Sequence, residues 1–207
     1  AENYIGEAGD EVTIAHELDS SWSGSDGSLT YLPEFKKGSA STDLTISESG
    51  LFNVTLKDNS FGCTGFAGCP EDGSYDVEGS FSVYSRPWKF AICTSKSSDG
   101  NSNEKDSDSF SSAGESFYVY ARPIKHTNSS AVCTNDNLLT NNYFKSTASV
   151  EVTTTLDTPL ITVYPDAKLG DLTPVAQLTK QISSNDQADK CYKFGSLKYS
   201  EAGSFNF

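Results

Sequence analysis

The chain has 207 residues, with 15 lysines and arginines against 28 acidic residues, a formal charge of −13. A surface of that sign repels phosphate backbones, which excludes a nucleic-acid binder working by phosphate neutralisation. No apolar run approaches the ~20 residues of a membrane-spanning helix; the longest, Leu160 to Tyr164, is interrupted by Thr162.

Methionine is absent, so the chain reads as a mature or excised piece. Serine and threonine make up about a quarter of it, and strong helix formers are scarce. Threonine, valine, tyrosine and phenylalanine suit a pleated surface instead. The expectation is an all-β chain of two small sandwiches.

In chain order, His16 falls in a strand-like stretch, and residues 20–28 read as a loop carrying Trp22 and Asp26. Leu44–Ile46 and Leu51–Leu56 alternate as short strands around Glu48-Ser49-Gly50, which reads as a hairpin turn. Cys63 and Cys69 bracket a glycine-rich loop able to fold back within bridging reach, so they are read as a disulfide. That pairing implies an oxidising compartment. Phe81 and Val83 share a strand face. Residues 95–112 form a polar, low-complexity loop, read as mobile. Phe117, Val119 and Ala121 lie on one strand face, and Val150, Val152 and Thr154 alternate likewise. Of the remaining cysteines, Cys93, Cys133 and Cys191, three pairings are open, with Cys93–Cys133 preferred. No Cys-x-x-Cys pair exists, and the two histidines are not at zinc-finger spacing.

An internal repeat carries the most information. Asn3-Tyr4-Ile5, Glu11-Val12-Thr13, Leu18-Asp19, Gly27-Ser28-Leu29-Thr30 and residues Leu44 to Asn53 recur in the same order. Their counterparts are Asn142-Tyr143-Phe144, Glu151-Val152-Thr153, Leu156-Asp157, Gly170-Asp171-Leu172-Thr173 and residues Leu197 to Asn206. Two β units are expected: 1–84, lacking its first strands, and 85–207, lacking its closing strand.

The blocks Ser85-Arg86-Pro87-Trp88-Lys89-Phe90-Ala91-Ile92-Cys93, Ala113-Gly114-Glu115-Ser116-Phe117, Ala121-Arg122-Pro123-Ile124 and Asn141-Asn142-Tyr143-Phe144 resemble the C-terminal region of the MshQ family. These are large surface proteins associated with the mannose-sensitive haemagglutinin type IV pilus of Gram-negative bacteria. His16-Glu17-Leu18-Asp19 and Ser200 to Phe205 extend the match. The resemblance implies tandem immunoglobulin-like antiparallel β-sandwiches at the cell surface. It implies pilus domains, other surface proteins and neighbouring repeats as partners, and it brings no catalytic site.

Two ligand chemistries are candidates. Asp99, Asn101, Asn103, Asp106 and Asp108 offer the oxygen ligands calcium wants, but the EF-hand spacing fails at Glu104 and Phe110. Glu71, Asp72, Asp76 and Glu78 form a second acidic cluster. Trp22 with Asp26 is the candidate platform for a glycan, making a carbohydrate-binding module the alternative function. Nucleophilic catalysis has only His16 and His126 to draw on, without a Gly-x-Ser-x-Gly elbow or a His-Glu-x-x-His motif. A non-enzymatic adhesion or structural module is therefore expected.

Overall fold

A computed structural model describes residues 6–7, 12–58, 62–65, 67–73, 75–94, 112–130 and 132–207. The candidate calcium ligands at 99–108 and the first repeat block, Asn3 to Ile5, lie outside the described residues. The chain is all-β: fifteen strands pair antiparallel, and Ser184–Asp189 is the one α-helix among the described residues. It divides into two compact units, Ala1–Arg86 and Pro87–Phe207. No described helix is long and apolar enough to cross a membrane.

In the first unit, β1 (Gly6–Glu7) pairs with β4 (Glu34–Phe35), and β3 (Leu29–Tyr31) with β5 (Leu44–Ile46). The main sheet is β2 (Val12–Leu18), β6 (Gly50–Asp58) and β7 (Val77–Ser85), with β6 central. The two-residue period of a strand puts Ile14, His16 and Leu18 on one face, in register with Leu56, Val54 and Phe52. Val12, Phe52 and Val54 are buried there. Along β7 both faces stay largely open, and Phe81, in register with Val54, is partly covered by the edge of Tyr31.

The second unit is built on β12 (Leu172–Thr173), β14 (Tyr192–Tyr199), β9 (Phe117–Ile124) and β8 (Lys89–Thr94), in that order. Two ribbons accompany it: β10 (Ser149–Glu151) with β13 (Thr179–Gln181), and β11 (Thr155–Thr158) with β15 (Ser204–Asn206). One sheet face carries Val119, Ala121, Tyr192, Phe194 and Leu197 into the main core. Phe194 and Leu197 are three residues apart, which on a regular strand would place them on opposite faces. A bulge resolves this. Gly195 and Ser196 together oppose Tyr118, Ser196 takes φ 48°, and both large side chains point inward.

The other face packs Ala91, Cys93 and Ile124 under Cys133 and Leu139. Two expected features differ. The alternation over 150–154 holds in burial, with Val150 and Val152 inward, but the strand ends at Glu151, one cross-ladder bond from Val152 N–H to Leu178 O following it. Glu48-Ser49-Gly50 is no hairpin: β5 and β6 pair with different partners, and the turn carries the chain from one ladder to the next.

Candidate functional site

The repeat is real in three dimensions over its last three blocks. In the first unit Leu18 opposes Phe52; the chain then leaves the ladder and rejoins it where Leu29 opposes Ile46. In the second, Leu156 opposes Phe205 and Leu172 opposes Tyr199. Ser28 N–H donates to Ser47 Oγ at 2.8 Å, and Ser47 N–H to Ser28 O at 3.0 Å. Asp171 N–H donates to Ser200 Oγ at 2.8 Å, and Ser200 N–H to Asp171 O at 3.1 Å. Each copy is thus an antiparallel ribbon, interrupted by an excursion loop on one strand and a Ser-Glu-x-Gly kink on the other.

The glycines explain why the kink needs that sequence. Gly50 has φ 148° and Gly203 φ 157°, in a region that residues with a Cβ rarely enter. A Cβ on Gly50 would stand 2.6 Å from Leu18 Cδ1, and one on Gly203 would stand 2.5 Å from Thr158 O. Gly27 and Gly170 end the excursions pressed against the glutamates of the kink, Glu48 and Glu201. The second repeat block does not match in this way: Val12 and Thr13 pair with β6, whereas β10 ends at Glu151, just before Val152 and Thr153. Asn142–Phe144 is a 3-10 turn, and its counterpart Asn3–Ile5 lies outside the described residues.

The first excursion loop is closed by its own polar groups. Asp19 Oδ1 accepts Ser21 N–H and Ser21 Oγ–H at 2.9 and 2.6 Å, and Asp19 Oδ2 accepts the Asn53 amide at 3.2 Å. Led by the Ser21 hydroxyl, these bonds hold the Asp19 carboxyl below its ordinary pKa. Asp26 Oδ1 accepts Leu18 N–H at 2.7 Å, and the Asp26 carbonyl accepts from His16 Nε2 at 3.1 Å. Trp22 is half-buried, its indole 3.6 Å from where a Cβ on Gly50 would stand. Asp26 therefore fastens the loop to its sheet, and the Trp22 indole lies beside Gly50. Trp88 is the more open indole, with the Lys89 ammonium 4.4 Å from its ring centroid and His126 edge-on at 4.8 Å.

Cys63 is bonded to Cys69, and Cys93 to Cys133; Cys191 is a buried free thiol. Such bonds persist in oxidising compartments. The Cys133 segment is also held by Arg122, buried in the sheet. Its guanidinium donates to Val132 O at 3.3 Å, to Cys133 O and to Asp136 Oδ1. Lys190 Nζ reaches the other Asp136 oxygen at 3.2 Å. Burial alone would raise the Asp136 pKa, but Lys190 and Arg122 outweigh it and the carboxyl sits low.

A polar cleft opens between the α-helix Ser184–Asp189 (α1), β13 and β14. Asp186, almost fully buried, is its anchor. It accepts Lys180 Nζ at 2.6 Å, Ser183 N–H at 2.9 Å and Lys193 N–H at 3.3 Å. Ser183 and Asp186 form a reciprocal capping box that starts the helix. Burial would raise the Asp186 pKa, yet these donors hold it below the ordinary carboxylate range. The cleft rim carries Asn185, Asp189 and Lys193, and the Lys193 ammonium lies 4.3 Å from the Tyr118 ring centroid.

No three His, Cys, Asp or Glu side chains converge on a metal-sized site among the described residues. Glu71, Asp72, Asp76 and Glu78 do not gather, because Asp76 pairs with Lys57 at 2.8 Å and Glu78 is taken up by β7. Sequence reading missed Arg122 and Asp186, since neither ion pair has a spacing signal. Residues 159–169 carry in sequence only the short apolar run Leu160 to Tyr164. There the second excursion holds Leu160, Ile161, Val163 and Tyr164, each more than half exposed.

These features define an all-β, disulfide-bonded chain of two units sharing one interrupted-ribbon motif. A family model for the second domain of DUF6701 matches residues 86–190, just over half the chain, and the chain belongs to that family. No curated protein and no solved structure matches it.

Proposed function

We propose that this chain is a non-enzymatic structural and adhesion module of a pilus-associated bacterial surface protein, built like the MshQ region it resembles, with immunoglobulin-like units in tandem outside the cell. The observation that carries the reading is the interrupted ribbon, made with the same backbone bonds in both units. A repeated, separately closed unit suits a chain that spaces or presents binding surfaces, because each copy adds length without depending on a distant part of the fold. Each unit also carries one disulfide, which limits opening under load or protease attack.

The test is surface placement and competition. Antibodies against the 207-residue chain should label intact cells of the source organism, and the free chain should reduce adherence of those cells. Labelling only after permeabilisation would overturn the reading. Calcium at Asp99 to Asp108 belongs to the same proposal: the melting temperature should rise with calcium and fall back with chelator. In the glycan alternative the partly exposed Trp22 indole would be the platform, while one Asp26 carboxylate oxygen is taken by Leu18 N–H.

A further inference from the structure

We infer that the excursion loop of the second unit, residues 159–169, is a docking finger for another protein, one presenting an apolar stripe bordered by basic side chains. The first unit supplies the internal comparison. At the same place in the same motif, the first loop is Ser-Ser-Trp-Ser-Gly-Ser-Asp, seven residues between Asp19 and Gly27. The second is Thr-Pro-Leu-Ile-Thr-Val-Tyr-Pro-Asp-Ala-Lys-Leu, twelve residues between Asp157 and Gly170. The motif closes with the short polar version, so the added apolar length is not required to complete the ribbon.

Four large side chains of the longer loop, Leu160, Ile161, Val163 and Tyr164, are each more than half exposed. The loop has a shape of its own. Val163 and Tyr164 N–H both donate to Leu160 O, at 3.0 and 2.8 Å, and Ala167 N–H donates to Tyr164 O at 3.0 Å. Its far foot is pinned where Gly170 N–H meets Tyr199 Oη at 2.7 Å. An apolar cluster held out on bonded turns is a preorganised contact surface, because little ordering entropy remains to be lost on binding.

Charge selects the occupant. From Asp157 to Asp171 the loop and its feet carry three carboxylates and one ammonium, all exposed: Asp157, Asp166 and Asp171 against Lys168. Glu201 stands beside Gly170 at the same end. A second copy, at −13, or an anionic bilayer would bring further negative charge onto this rim. A protein surface with an apolar stripe and basic borders covers the apolar tip and meets the acidic border. This inference does not depend on pilus association.

The experiment uses the full 207-residue chain and a labelled synthetic helical peptide with a leucine stripe flanked by lysines, beside its glutamate-flanked counterpart. The lysine peptide should bind, binding should weaken in salt, and the glutamate peptide should not bind. The triple variant Ile161→Ser, Val163→Ser, Tyr164→Ser should bind at least ~10-fold more weakly. Its melting temperature should not change, since all three side chains are exposed; Ile161→Ser alone provides a milder variant with the same expected direction. Equal binding by wild type and variant would reduce the effect to overall charge and overturn the proposal. So would absence of binding. Binding to phosphatidylcholine vesicles, or self-association in sedimentation, that the triple variant abolished would also overturn it, assigning the loop to lipid or to a second copy.

Discussion

The two copies of the interrupted ribbon differ less in their backbone than in what surrounds them. In the first unit the kink leads into a nine-residue strand, β6, and the excursion is short, polar and folded onto Gly50 through Trp22. In the second, the kink leads into the three-residue strand β15, where Phe205 stacks on Tyr199 at 3.9 Å, and the excursion stands out in solvent. Strand pairing, turn serine and glycine are held constant, while core depth and loop composition vary. The closure of the ribbon therefore rests on a few backbone bonds and two glycines, which leaves the excursion free to change.

Each unit contains one tryptophan, Trp22 in the first and Trp88 in the second, so denaturation followed in Trp22→Phe and Trp88→Phe backgrounds reads the units separately. The largest effect is expected from Phe52→Ala. It empties a fully buried position in a unit with few other buried apolar groups, at ~3–5 kcal/mol. The corresponding Phe205→Ala should cost only ~1–2 kcal/mol, since that ring is part exposed and loses mainly its stacking and partial burial. Equal losses would break the claimed contrast in core depth.

Arg122→Ala is expected to cost ~1–3 kcal/mol in the second unit alone, because it leaves the buried Cys133 carbonyl without its donor, while the exposed Asp136 keeps Lys190. A signal in the Trp22 readout would argue against its being local to that unit.

Asp186 gives the pH test. Its folded pKa lies below the unfolded value, so its contribution is fully present above the ordinary carboxylate range and is lost as pH falls through the lower folded value. The second unit of Asp186→Asn should be weaker by ~2 kcal/mol at neutral pH and should lose less on acidification below about pH 4 than wild type. Parallel acid profiles for the two proteins would count against it.

The smaller effects sharpen the equivalence itself. Gly50→Ala and Gly203→Ala should each destabilise their own unit by ~1–3 kcal/mol, through strained φ and a Cβ clash. Ser47→Ala and Ser200→Ala should each cost ~1 kcal/mol, through loss of one hydrogen bond to the returning strand. A large effect in one unit and none in the other would mean the shared bonds matter differently in the two.

Much of the fold was legible because local chemistry repeats. The alternation of Phe117, Val119 and Ala121 marks a strand wherever it occurs, and Gly50 with Gly203 marks a kink that no other residue fits. Ser49 illustrates the limit. Its buried hydroxyl has no hydrogen-bond partner among the described residues, and the second copy has Ala202 there, so the two residues differ in sequence while the kink stays the same. The kink reads in sequence as a hairpin because a turn signal shows where a chain bends but not which strand it joins next. The candidate binding residues were harder still. Trp22 and Asp26 stand out by residue type, yet the groups beside them, Gly50 and Leu18, are 28 and 8 positions away. The exposed tip at Leu160 to Tyr164 looked like any apolar run, and such runs are more often buried.

By itself the sequence determined the β class, the repeated turn chemistry and the acidic surface, since each follows from side-chain type and spacing along the chain. Only the tertiary structure decided that Arg122 and Asp186 are buried and paired, and that one excursion folds back while the other stays open. Those outcomes depend on which distant strands meet, and burial is a property of the assembled neighbours rather than of any residue alone.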